Sequence, residues 1–458
     1  MSTLNNFNII STWDDIKKKI IYKHLNIYTI KSKNIHPQIN DIIYSEINIR
    51  INNKLYKNLN RYSCINTLKY IFYKIRAGIF VKIENNELKA FIPFANKYFR
   101  NNWYNNITLY KSKNLKEYIY NKRKIFKYKK IYINNIKHWW TNAYIINNEQ
   151  IDDIWGQHSL LDYYNILQET LQNHKVENCI FIINKRDHPV LNTELFEPYP
   201  NVYPKDNNNN PPKIEQKYQY SNYIPILSPY TNKNYLDIPF IIPQDWQLAN
   251  NDKSYYEIKK HIKWEDKIPI AIFRGSATGS IEIEYNQRLQ ISNLDNILQK
   301  TNNKLIDAGI ISWNSRDKID SKLQINYINP NSFKFKLKER IPMNEQIKYK
   351  YIINIDGHSN PNRTSYLLQL NSLILMVESK YVVGNICWYS NLLQPYIHYI
   401  PIKYDLSNLE EQIIWCRNND DKCIKIIQQA NQLFHNYFNK KNILCYAAYL
   451  LNQISNNF

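Results

Sequence analysis

Ile268-Pro-Ile-Ala-Ile-Phe-Arg274-Gly-Ser-Ala-Thr-Gly-Ser280 reads as a short apolar run that stops at a turn of small and polar residues. An apolar run of this length bounded by turn formers predicts a strand buried on both faces. The chain has 7 glycines in 458 residues, and Gly275 and Gly279 fall within this one turn. Glycine lets backbone amides come close to an anionic group, so their placement carries information. Downstream the pattern recurs. Tyr351-Ile-Ile-Asn-Ile355 predicts a strand ending at Asp356-Gly357, and a helix is expected over Thr364–Leu370. Further strands are expected at Leu373–Val377 and His398–Ile402. A capping box with Ser407 as N-cap and Glu410 at its third position opens a helix to about Arg417, and helices over Asp420–Phe438 and Ile443–Ile454 close the chain. Strands alternating with helical patterns point to an α/β fold with parallel sheets.

The same texture starts upstream, from about residue 131. Ser159–Asn173 has apolar residues at helical spacing, Asn178–Asn184 is a buried-type strand, and Tyr223-Ile-Pro-Ile-Leu-Ser228 is another apolar run. Residues 205–213, KDNNNNPPK, read as a polar loop. Nearer the start, Asp14–Leu25 predicts a helix with Ser11 or Thr12 as cap, and Gly78–Ile83, Asn85-Asn86 and Leu88–Ile92 predict a β-hairpin. No chemical motif stands out before residue 130, and no fixed-period repeat is present.

Three candidate sites follow the predicted strands, where open α/β sheets bind ligands. The first is Asn184-Lys-Arg186-Asp187-His188-Pro189. Asp187 can take a proton from a hydroxyl, and His188 is a rival base because its ordinary pKa lies near neutrality. The second is Arg274, Gly275, Ser276, Thr278 and Gly279, with Arg288 following, which suits a diphosphate. It is no Walker A loop, because the Gly-Lys-Ser/Thr ending is missing. The third runs from Asp356-Gly357 to Arg363, where a helix N-terminus and a guanidinium can both face phosphate oxygens. Two arginine-bearing turns converging on one diphosphate, with a carboxylate across from them, form the layout of a nucleotide-sugar transferase. The chain holds no Asp-x-Asp motif, and the pairs Asp14-Asp15, Asp152-Asp153 and Asp420-Asp421 sit in or beside helical patterns. No metal site and no cofactor are therefore expected, with arginines in place of a cation.

The net charge is +21, and Ile, Asn, Lys and Tyr are abundant, which is the mark of AT-rich codons. The densest basic run, Lys111 to Lys130, reads as a solvated face or a contact for a polyanion or an anionic surface. A nucleic-acid partner has no motif behind it. The six cysteines, Cys64, Cys179, Cys387, Cys416, Cys423 and Cys445, form no Cys-x-x-Cys pair and no disulfide-like framework, so buried reduced thiols are expected. No apolar run reaches the length of a membrane span, the first residues lack the apolar core of a signal peptide, and the last six residues are no ER-retention signal. The cytoplasm or another reducing compartment is expected.

At these residues the sequence resembles the protein O-glucosyltransferase family, glycosyltransferase family ninety. The resemblance runs from about Trp139 to Asn452. It is carried by Ile154-Trp-Gly-Gln-His158, Phe181-Ile-Ile-Asn-Lys-Arg-Asp187-His-Pro189, Leu236-Asp-Ile-Pro239 and Asp245-Trp246. It continues with Phe273–Gly279, Asn286-Gln-Arg288, Ile306-Asp-Ala-Gly309, Tyr349–Gly357 with Arg363, Trp388-Tyr389, Leu393–Pro401 and Asp405-Leu-Ser407. The resemblance implies a GT-B-type fold, with two Rossmann-like domains facing across a cleft and C-terminal helices crossing back to the first. It implies a UDP-sugar donor, commonly UDP-glucose or UDP-xylose, inversion, no metal requirement, and an unknown protein or glycan acceptor. By the same resemblance Asp187 is the catalytic base, with Arg186, His188 and Trp388 on the acceptor side or supporting it. Arg274, Gly275, Ser276, Thr278, Gly279, Arg288, Asp356, Gly357 and Arg363 then line the donor site. The expected division is 1–130 as an N-terminal extension, 131–250 as the acceptor-side domain, 251–424 as the nucleotide-sugar domain and 425–458 as helices packing back. The alternatives are a catalytically weak nucleotide- or glycan-binding relative, or a basic nucleic-acid-binding protein.

Overall fold

The computed structural model describes residues 10–25, 47–96, 144–146, 149–151, 157–198, 211–250, 262–300, 304–314, 318–319, 325–326, 328–380 and 382–455. The basic run Lys111–Lys130, most of the 205–213 loop, and residues 130 and 251, expected domain limits, lie outside them.

Two five-stranded sheets organise the chain. The first contains β1 (Ala77–Glu84), β2 (Glu87–Ala95), β3 (Cys179–Asn184), β4 (Ile226–Ser228) and β5 (Ile238–Pro239), in the order β2-β1-β3-β4-β5. β1 pairs antiparallel with both β2 and β3, and β3, β4 and β5 run parallel. The hairpin turn is made by Asn85 (φ 54°) and Asn86 (φ 59°), the two left-handed positions of a type I′ turn that asparagine tolerates. The second sheet contains β6 (Ile268–Ser276), β7 (Ile306–Ser312), β8 (Tyr349–Asn354), β9 (Leu373–Val377) and β10 (Ile400–Ile402). Its order is β10-β9-β8-β6-β7 and all pairs are parallel. These strands read as near-continuous apolar runs because both faces are covered. On one face Phe273, Ile353 and Leu375 pack with Ile413 and Ile426, while Ile272, Ile352 and Ile374 join the core of the first sheet.

The helices include α1 (Gln157–Asn173), α2 (Pro243–Ala249), α3 (Gln287–Lys300), α4 (Thr364–Leu367), α5 (Leu409–Arg417), α6 (Asp420–Tyr437) and α7 (Lys440–Ser455). α7 is apolar nearly all round, with Tyr446, Ala447, Leu450, Leu451 and Ile454 buried, as an enclosed helix must be. It returns to the first sheet. The Tyr446 hydroxyl donates to the Pro239 carbonyl at 2.5 Å, and the Asn452 amide accepts from Glu177 N at 3.0 Å and donates to the Lys175 carbonyl at 3.1 Å. The expected GT-B-type α/β architecture, with its last helix crossing back, is therefore present.

Two expectations need correction, the end of β6 and the start of α5. Within the stretch 1–130, expected as an N-terminal extension, the hairpin supplies β1 and β2, and β1 lies between β2 and β3. Gly78 permits that fit, since a Cβ there would come within 2.8 Å of Ile71 and 2.9 Å of Phe94. Ile10 adds to the same edge, with Ile10 N donating to Pro93 O at 3.1 Å and Ala95 N to Ile10 O at 2.8 Å. β6 does not stop at Phe273. It continues through Arg274 and Gly275 to Ser276, held by pairing with β7. The Ser407–Glu410 box is absent. Leu406 takes φ 63° and breaks the entry, so α5 starts at Leu409 with Asn408 ahead of it, and Ser407 N donates to Asp405 at 3.0 Å.

The helix after Thr12 forms as expected, with Thr12 Oγ1 accepting from Asp15 N at 3.1 Å. All six cysteines are free and buried. Among the described residues, no helix is long and apolar enough to cross a membrane, and no group of three metal-ligating side chains occurs.

Candidate active site

The loop after β3 carries Asp187, and a buried network fixes its backbone. Asn184 caps it: its Oδ1 accepts from Arg186 N at 2.8 Å, and its Nδ2 donates to His188 O at 2.8 Å and to Ser228 Oγ at 3.0 Å. Asp237, fully enclosed, accepts from Val190 N at 2.9 Å, Leu191 N at 2.7 Å and Ser228 Oγ at 2.5 Å. Burial raises the Asp237 carboxyl to about 6 despite these bonds. On this frame Asp187 is exposed. Arg186 donates to the Ile75 carbonyl at 2.9 Å, tying the loop to the chain before β1. His188 is buried, with Nδ1 donating to Pro189 O at 3.0 Å, and burial lowers its pKa. Of the two rival bases, only Asp187 meets solvent.

The second group forms where β6 and β8 end side by side. Phe273 lies under two guanidiniums, with Arg363 at 5.2 Å and Arg288 at 5.9 Å from its ring centre. Arg363 donates to Ile353 O at 2.8 Å, Arg274 O at 3.2 Å and Asn354 Oδ1 at 3.3 Å. Arg288 donates to Asp356 O at 2.7 Å, Ser276 O at 3.0 Å and Ile355 O at 3.2 Å. Each therefore uses three of a guanidinium's five donors on neutral acceptors, and neither has a carboxylate ion pair among the described residues. Burial lowers Arg363 to about 9, helped by its charged neighbour Arg288, and lowers Arg288 to about 10, opposed by Asp356. Asp356 is itself pushed up to about 6 by burial and accepts a hydrogen bond from Ser379.

Gly357 closes this corner. A Cβ there would lie 2.6 Å from Thr278 Oγ1 and 2.9 Å from Arg288 Nη2. Gly279, at φ 113°, turns the chain beside it, and Asn286 holds that turn by donating to Ser280 O at 2.6 Å. Thr278, Gly279, Tyr285, Asn286, Asp356, Gly357 and Val382 line a small recess. Ser276 sits at its edge, its Oγ accepting from Ser312 Oγ at 2.8 Å.

Two candidates are not in this cluster. Arg274 points from the opposite face of β6, because strand alternation separates it from Phe273 and Gly275. Its five donors are spent on Glu339 O, Phe273 O, Asp307 O and, bidentately, the Asp307 carboxylate at 2.8 and 2.9 Å. Trp388 is buried against Phe438 and Tyr446, and its indole donates to Asp245 Oδ2 at 2.8 Å, so it supports the fold behind the site. The expected helix N-terminus after Arg363 amounts to one turn, α4, with no side-chain cap.

The Asp187 loop and the turn after β8 meet. Tyr230 donates to Asn362 Oδ1 at 2.8 Å, and the Tyr230 hydroxyl lies within electrostatic reach of Asp187. Gly384 sits between them. A Cβ there would fall 2.8 Å from Tyr230 Cβ, 3.4 Å from Pro189 Cδ and 3.5 Å from Ser359 Cβ. Gly384→Ala should therefore cost about 1–3 kcal/mol by overpacking and push the two loops apart. The melting temperature should fall, and any sugar transfer should fall more than nucleotide affinity does.

Asp245 gives a pH prediction. Burial raises it to about 7, well above its unfolded value. A raised carboxyl contributes stability below its unfolded pKa, and that stability is lost as pH rises through the folded pKa. Stability should thus decline between about pH 4 and pH 7. In Asp245→Asn the decline should be shallower, read as denaturant midpoints across that range.

The donor-side residues, from Arg274 to Arg363, fall within a family match, whereas the Asp187 loop precedes it. The model for glycosyl transferase family 90 matches residues 205–458. The chain belongs to glycosyl transferase family 90. Among curated proteins, the family 90 chain is 33% identical over 452 residues to uncharacterized protein 179R of Invertebrate iridescent virus 6, covering 88% of this chain and 38% of that protein. It is 29% identical over 188 residues to human protein O-glucosyltransferase 3, covering 41% of this chain and 32% of the enzyme. The chain spans less than two fifths of the length of its viral relatives. Among solved structures, Anabaena HepE in complex with UDP is similar over 50% of this chain and 57% of its own, at 7% identity and a TM-score of 0.25, a likeness at which neither fold nor ligand is carried over.

Sequence reasoning missed the supporting network. Asn184, Ser228 and Asp237 lie in apolar runs as isolated polar residues, and that isolation was the available signal. A lone carboxylate between Leu236 and Ile238 has to be paid for by buried donors. The Arg274–Asp307 pair and the Tyr230–Asn362 contact join residues far apart in sequence and left no local trace.

Proposed function

We propose that this family 90 chain is an inverting, metal-independent glycosyltransferase that moves glucose or xylose from a UDP-sugar to an acceptor hydroxyl. The observation that carries the reading is the pair Arg288 and Arg363. They are two like charges over one aromatic ring, with depressed pKa values, neutral acceptors and donors to spare. Two buried cations with only the Asp356 carboxylate acting on Arg288 are under-compensated, and a diphosphate would supply the missing negative charge. Gly357 brings the backbone against Thr278 and Arg288, with no side chain of its own between them.

Asp187 serves as general base. It takes the proton of the acceptor hydroxyl, whose oxygen forms the new bond to the anomeric carbon from the side opposite the diphosphate. The bond from that carbon to the β-phosphate oxygen breaks, and its electron pair leaves with UDP. Arg288 and Arg363 stabilise the charge that develops there, the same work a cation does in metal-dependent transferases. Asp237, Ser228 and Asn184 hold the base, and Tyr230, in the segment after β4, bonds to Asn362 of the donor turn. A UDP-release assay over a panel of UDP-sugars, run in EDTA, tests the reading. Release from UDP-glucose or UDP-xylose that EDTA leaves intact supports it, and release that requires added divalent cation contradicts it.

A further inference from the structure

A second recess lies away from these residues, between the 392–398 segment and α6. Its volume is about 260 Å³. Gln429, Gln432, Leu433, Asn436 and Tyr437 line it from the helix, and their spacing of three and four residues places them on one face. Gln394 and His398 line the other wall. That wall is shaped by its own hydrogen bonds. Gln394 N donates to His398 Nδ1 at 3.0 Å, His398 N donates to Gln394 O at 3.0 Å, and Tyr396 N donates to Tyr399 O at 2.7 Å with Tyr396 at φ 61°. Because Nδ1 accepts, the neutral ring carries its hydrogen on Nε2. Burial keeps this imidazole neutral by lowering its pKa.

The chemistry of the lining is unusual for this chain. The protein carries a net charge of +21, yet no Lys, Arg, Asp or Glu lines the recess. Three glutamines, an asparagine, a histidine and a tyrosine surround an aliphatic floor that includes Leu433. A carboxamide donates and accepts in one plane, which matches neighbouring hydroxyl groups that each do both. The floor offers an apolar surface to ring C–H groups. An anionic ligand finds no counter-charge here, and a volume below the roughly 300 Å³ of drug-sized pockets suits one ring better than an extended chain.

We propose that this recess binds one neutral sugar unit, in a site separate from the donor cluster and without transferring it. The bound class is an uncharged hexose or pentose, free or at the end of a glycan. Gln429, Gln432 and His398 are its main polar contacts.

The test is saturation-transfer NMR on the full chain with a panel of methyl glycosides: β-glucoside, β-xyloside, β-galactoside and α-mannoside. At least one glycoside should receive saturation, with an affinity in the millimolar range, on the order of 4 kcal/mol. The double substitution Gln429→Ala, Gln432→Ala changes one half-buried and one exposed helix position. It should weaken that affinity tenfold or more with the melting temperature unchanged. Arg363→Met should leave the signal intact, and saturating UDP should not displace it, so this result stands whether or not the donor reading does. No saturation of any glycoside, equal affinity in the double variant, or displacement by UDP would each overturn the proposal.

Discussion

Asp187→Asn should abolish sugar transfer while leaving nucleotide binding in place. General-base catalysis contributes roughly 10²–10⁴-fold, or about 3–5 kcal/mol of barrier, and the amide has the shape of the carboxylate without its basicity. The loop should not move, because its backbone is held by Asn184, Ser228 and Asp237. Turnover measured by UDP release should therefore fall to background, with UDP affinity within a factor of two of wild type, roughly 0.4 kcal/mol. Full turnover in this variant would assign the base elsewhere. His188 is the other basic group of the loop, and it is buried with its Nδ1 committed to Pro189.

The second large effect is expected at Arg363. Arg363→Met keeps an unbranched apolar stem over Phe273 and removes the charge. Removing one such electrostatic contact should lower turnover by roughly 10²–10³-fold. UDP affinity should fall with it, because the guanidinium would contact the ground-state diphosphate as well. Stability should behave differently. The substitution loses hydrogen bonds to Ile353 O, Asn354 and Arg274 O, yet it also relieves the repulsion with Arg288 and the cost of an uncompensated cation. The net change in apo stability should stay within about 1 kcal/mol, since buried unpaired charges are costly in themselves. A variant that keeps its fold and loses nucleotide marks Arg363 as a ligand residue. One that unfolds marks it as a structural clamp.

The contrast between Arg274 and Arg363 shows how far the sequence could be read. Both follow apolar runs, and both were placed at the donor site on the same grounds. Gly275 and Ser276 look like turn formers, but pairing with Ile310 and Ser312 of β7 keeps them in the strand. Strand alternation then sends Arg274 to the opposite face and to Asp307. Nothing local to residues 274–276 records the presence of β7. Arg363 lies past its strand, where the chain turns back and sets the guanidinium over Phe273.

The same physics explains the first domain. The hairpin of β1 and β2 was legible from Asn85-Asn86 and the alternating runs beside it. Its partner β3 lies about a hundred residues on, and no short-range pattern encodes that antiparallel pairing. Leu406 at φ 63° is similar, because leucine has no intrinsic preference for that conformation and only the tertiary setting imposes it. Asp187 was legible because a charged residue directly after a buried strand has few places to go except the sheet's edge.

The most direct measurement is the structure of the full chain with UDP bound. The account predicts β-phosphate oxygens within hydrogen-bonding distance of the Arg288 and Arg363 guanidiniums, beside Gly357 and Thr278, with the Asp187 carboxylate facing the space where the sugar would stand. UDP seated elsewhere, with both arginines still turned to backbone carbonyls alone, would contradict it.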